Sequence, residues 1–111
     1  MEKTVSKVLL SLHVPPSLLG YGYIKCAVLL CMSDSTYMRS ITTRLYPDVA
    51  KAFDTTPVKA ERAIRHAIAS GLATAPAEAT QPIFGAYTEY KKPTNSHFIA
   101  AVAEHIRLEG K

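Results

Sequence analysis

The sequence is short of nearly everything that would mark a secreted scaffold, a membrane protein or an enzyme. It holds two cysteines, Cys26 and Cys31, in 111 residues. Helical spacing turns the two in different directions, and no C-x-x-C pair or histidine accompanies them. Both read as small core hydrophobes in a reducing cytoplasm, with no metal and no cofactor implied. The longest apolar stretch, Cys26–Met32, falls far below the ~20 residues that a membrane span needs. The Met1-Glu2-Lys3 start leads into no secretory apolar region with a small-residue cleavage site, so the protein is placed in the cytoplasm. There is no glycine-rich phosphate loop, no H-E-x-x-H and no Ser or Cys in a nucleophile motif. An enzyme is not indicated. His13, His97 and His105 stand singly, as surface or satisfied side chains do. Alternating polar and apolar residues never run long enough for a strand, and neither a repeat nor a low-complexity tract occurs.

What is present is an ordinary globular composition, 48% apolar and 20% charged, in a length that fits one domain over residues 1–111 with a single modest core. Thirteen Lys and Arg against nine Asp and Glu leave a net charge of +4. That excess suits a polyanionic partner, and the placement of the charges then decides.

Helical spacing dominates the chain. Val5, Val8, Leu9 and Leu12 predict a first amphipathic helix, which Val14-Pro15-Pro16 ends. The same prolines can open a second helix over about Ser17–Met32. Gly20 and Gly22 weaken that helix or let a neighbour pack closely, and Ser33-Asp34-Ser35 stops it. From Ser40 to Phe53, Pro47 either starts a fresh helix or kinks one already begun. Thr56 is a good N-cap with Pro57 at the first helical position; the helix it opens should reach Ser70, with Gly71 as its stop. Ala73–Pro82 reads as a loop or a poorly formed helix, and Ile83–Tyr90 is ambiguous. Lys92–Ser96 leads into a last helix with a buried stripe of Phe98, Ile99, Val102 and Ile106. The fold class is all-α. Tyr21, Tyr23 and Tyr46 read as half-buried packing residues.

Phe53-Asp54-Thr55-Thr56 is a tight connection between two short amphipathic helices, the spacing of a helix-turn-helix at about residues 47–70. Ala50 is small enough for a close crossing, and Asp54 tolerates the left-handed angles that such a turn needs. On a helical wheel, Ala60, Ala63, Ile64, Ala67 and Ile68 gather on one side. Val58, Lys59, Arg62, Arg65 and His66 gather on the other, flanked by Glu61. The outer face suits the DNA major groove, roughly 12 Å wide. Arg donates two parallel bonds to guanine, and Glu accepts from the cytosine amino group. Arg65, His66 and Lys59 could meet phosphates and set the register. An acid gains nothing from purely electrostatic binding, so Glu61 speaks for base contact; the bland alternative is an i, i+4 ion pair with Arg65.

At these residues the chain resembles the C-terminal effector domain of the sporulation response regulator family, that of stage-zero sporulation protein A. The resemblance rests on Ile41–Thr56 (ITTRLYPDVAKAFDTT), Glu61–Ile68 (ERAIRHAI) and Lys92–Glu109 (KPTNSHFIAAVAEHIRLE), with Val14-Pro15 and Gly20–Lys25 in support. It implies a six-helix domain holding a helix-turn-helix of the winged-helix-like, response-regulator effector type. It also implies binding to promoter boxes in double-stranded DNA at the onset of sporulation, contact with RNA polymerase sigma subunits, a head-to-tail homodimer on tandem sites, and a place on the nucleoid. Carried over by position, Glu61 and Arg62 read base edges, Arg65 and His66 hold the flanking backbone, and Lys111 lies near a phosphate. Lys59 stands where the family usually has arginine, keeping the charge without the two-pronged geometry. Family members carry a phosphorylatable receiver ahead of this domain, and nothing here resembles one. Ala69–Pro82 lacks the family's usual Trp and Arg.

Two other readings attach to particular residues. Tyr87 and Tyr90 beside Lys91 and Lys92 could form a stacking surface for single strands, though no strand pattern supports it. A protein-interaction module that binds a sigma factor or a sister regulator without DNA is the serious rival. Drift toward it should erode the outward face of Val58–His66 first, and there Glu61, Arg62, Arg65 and His66 all match the family.

Overall fold

The computed structural model describes residues 1–86 and 91–110. Among them are six α-helices and no strand: α1 (Glu2–Ser11), α2 (Leu19–Ser33), α3 (Tyr46–Ala52), α4 (Pro57–Leu72), α5 (Ala77–Phe84) and α6 (Asn95–Glu109). The domain is all-α. No helix among the described residues is long and apolar enough to cross a membrane.

In α1 the stripe buries Val5 and Leu9 completely, with Leu12 and Val14 beyond the helix end doing the same. The end itself is a Schellman turn: the Val14 N–H donates to the Leu9 carbonyl and the His13 N–H to that of Leu10. His13 takes the left-handed angle (φ 62°) that glycine usually supplies. The following prolines do not enter α2. The Leu18 N–H turns back to the Pro15 carbonyl, Leu18 is the N-cap, and the helix starts at Leu19.

α2 is the central element, packed against α1, α4 and α6. Its Ile24, Ala27 and Val28 are wholly buried. Cys31 is buried as well, and burial pushes its thiol up to about 11. Beyond α2 a 3-10 turn (Ser35–Arg39) and a π-turn (Ile41–Leu45) wind directly into α3, so Pro47 sits in the opening turn of a new helix. Polar side chains brace this stretch. Asp34 accepts from the Thr36 N–H and hydroxyl and pairs with Arg44 at 3.3 Å. Tyr37 donates to Asp48, and Arg44 lies over the Tyr37 ring at 4.3 Å.

One sequence expectation is corrected at the far end of α4. The helix does not stop before Gly71 but runs through it to Leu72. Gly71 serves a close approach instead: a Cβ there would stand 2.8 Å from the Leu12 carbonyl oxygen. Of the two readings of Ala73–Pro82, a loop or a poorly formed helix, the structure takes the second: the stretch contains most of α5, with Pro82 inside it and Gly85 (φ 70°) just past its end. Phe84 stacks on Phe98 of α6 at 5.1 Å, which gives this proline-bearing helix a partner that local propensity lacks.

Candidate nucleic-acid interface

Residues Phe53–Thr55 turn the chain between α3 and α4. The Phe53 N–H reaches the Val49 and Ala50 carbonyls, and the Thr55 N–H donates to Ala50 at 2.9 Å. Asp54 adopts φ 54° at the reversal. Ala50 and Ala60 are buried where the two helices meet. Thr56 then caps α4: its side-chain oxygen accepts from the Lys59 N–H at 3.2 Å, and Pro57 occupies the first turn. The ring of Phe53 is held against Tyr23 of α2, with centroids 4.8 Å apart. The angle at which α4 leaves the turn is thus set by a cap, a left-handed residue and an aromatic contact.

The inner face of α4 buries Ala60, Ile64, Ala67 and Ile68. Small residues there let α2 approach to backbone contact. A Cβ added at Gly20 would lie 2.1 Å from the Ala63 carbonyl oxygen and 2.6 Å from the Ala67 Cβ. Only glycine fits. The recognition candidate therefore rests on a rigid floor.

The outer face carries Val58, Lys59, Arg62, Arg65 and His66, all exposed. Val58 is 60% exposed, an apolar side chain in water beside cations. α4 has 16 residues and is thus about 24 Å long. Its guanidinium and ammonium groups supply positive charge, and these with the imidazole supply hydrogen-bond donors. No cluster of three metal-ligating side chains occurs among the described residues.

Glu61 is placed differently from the rest. It is half-buried at the edge of this face, turned toward the start of α6. Its Oε1 lies 3.5 Å from Arg65 Nη2, the i, i+4 pair weighed against base contact, and its Oε2 accepts from Asn95 Nδ2 at 3.1 Å. Asn95 donates also to the Glu61 carbonyl (3.3 Å) and to the Tyr46 hydroxyl (3.2 Å). Burial raises the Tyr46 phenol above its usual range, with the charge of Glu61 adding to the shift. Sequence reasoning passed over Asn95, because its partners lie 34 and 49 positions away. Lys92, with Thr94 and Asn95, lines a groove shared with Glu61, Arg65 and Ile68. Lys91 is exposed too; Tyr87, Tyr90 and Lys111 lie outside the described residues.

Two helices joined through a left-handed turn, the second with a cationic outward face over a close-packed inner one, define a helix-turn-helix domain of the DNA-binding regulatory class. Residues 5–106 match the family described as Sporulation initiation factor Spo0A C terminal. The chain belongs to that family, one of transcription-regulating, DNA-binding effector domains and not of enzymes.

Proposed function

We propose that the chain reads short promoter boxes sequence-specifically, with α4 laid in the major groove. The observation that carries this reading is the division of α4 into an inner face fixed by backbone contact and an outer face of exposed cations. In the complex Arg62 donates to guanine O6 and N7, and Glu61 accepts from a cytosine amino group. Val58 is suited to a thymine methyl group. Lys59, Arg65 and His66 meet phosphates and hold the register, and Lys111 joins them from the chain's end. Residues 1–111 act as one effector domain. Family membership supports two partners beyond DNA: a sigma subunit of RNA polymerase, and a second copy bound head-to-tail on tandem boxes. Pairing on adjacent sites would raise the affinity for each box without a new contact to that box.

The test is selection from a random-duplex library, with the wild-type chain and with Arg62→Ala, at two salt concentrations. The wild-type chain should recover a defined box. Arg62→Ala should cost about 1–3 kcal/mol on that box and relax the preference at one base pair. Recovery of no box by the wild-type chain would overturn the reading, and an unchanged ratio of box to random affinity would remove Arg62 as a reader.

A further inference from the structure

We infer that Asn95 is a positioning residue for base recognition, one that fixes the Glu61 carboxylate from a different helix. The inference rests on the assignment of Glu61 to the groove. Asn95 occupies the first position of α6, behind the Thr94 cap, whose side-chain oxygen accepts from the His97 N–H at 3.2 Å. From there one amide nitrogen reaches three acceptors on two other helices: Glu61 Oε2, the Glu61 carbonyl and the Tyr46 hydroxyl. Two N–H bonds shared among three acceptors tie the start of α6 to both helices of the helix-turn-helix.

The geometry separates the two groups that hold Glu61. Arg65 meets Oε1 at 3.5 Å, and its side chain is 64% exposed. Such a pair is weak and easily exchanged. When DNA arrives, the phosphates compete for the guanidinium. Asn95 is half-buried and neutral, so the phosphates exert no such pull on it. Its bond to Oε2 keeps the carboxylate in one rotamer and leaves lone pairs on Oε1 for a base amino group. A free Glu side chain loses substantial rotamer freedom when it is ordered. Asn95 incurs that loss during folding, so that it does not fall on recognition.

The experiment is a double-mutant cycle of Asn95→Ala and Glu61→Ala. Each protein is measured against the selected box, against boxes altered one base pair at a time, and against a random duplex. Asn95→Ala should flatten preference about five-fold at the base pair that Glu61→Ala flattens. It should leave random-duplex affinity unchanged and add nothing in the Glu61→Ala background. Asn95→Asp supplies a second variant whose acid suits a helix N-terminus while its charge opposes Glu61. It should flatten the same base pair at least as strongly, with the helical circular-dichroism spectrum of a folded domain. If Glu61→Ala flattens a base pair while both Asn95 variants leave it sharp, or lower specific and random affinity alike, Asn95 has no positioning role. If Glu61→Ala changes no preference, the assignment of Glu61 fails and the inference goes with it.

Discussion

On its inner side α4 meets α2 through Gly20, where one added carbon would stand 2.1 Å from a carbonyl oxygen of the helix. On its outer side the Arg65 side chain is 64% exposed, with an ion-pair partner 3.5 Å away. The inner face accepts almost no change in volume, because both contacting groups belong to helix backbones or their first carbons. The outer face could be rebuilt with little effect on folding, because its side chains bury little and exposed pairs contribute little. Residues that fold the helix and residues that use it are thus divided between its two sides. Glu61 and Asn95 sit on the boundary, and there the same side chains serve both.

This contrast can be broken from either side. Gly20→Ala should destabilise the domain by about 3 kcal/mol, since α2 and α4 must move apart to admit the carbon. Gly71→Ala, with the nearest atom at 2.8 Å, should cost less. Denaturant unfolding measures both, and a Gly20→Ala protein as stable as the parent would show that the crossing is not tight. Arg65→Ala should move stability by no more than about 0.5 kcal/mol while lowering the salt dependence of DNA binding by about one phosphate contact. A large loss of stability, or an unaltered salt slope, would mean that Arg65 belongs to the fold and not to the interface.

The helix-turn-helix was legible because its signals are local. Thr56 and Pro57 announce the start of α4, Asp54 supplies the turn, and the alanines and isoleucines at helical spacing mark the inner face. The stripe of α6 could be read in the same way, with Phe98, Ile99, Val102 and Ile106 all buried. Elements stabilised from a distance were not legible. α5 carries a proline and draws support from Phe98 across the fold, so its own residues left a loop and a poorly formed helix both open. Gly71 looked like a helix stop because its true reason, the Leu12 carbonyl, is remote in sequence. The outer face of α4 could be listed from the wheel, but the seat of Glu61 against Asn95 is a tertiary contact that no periodicity predicts.

The most direct measurement is an NMR titration of the labelled protein with a selected duplex, following the backbone amides. The account predicts that the largest shifts fall on Val58–His66 and the turn before them, with the amides of α1 nearly still. Shifts centred on α1 and the exposed edge of α2, with the outer face of α4 unmoved, would contradict it.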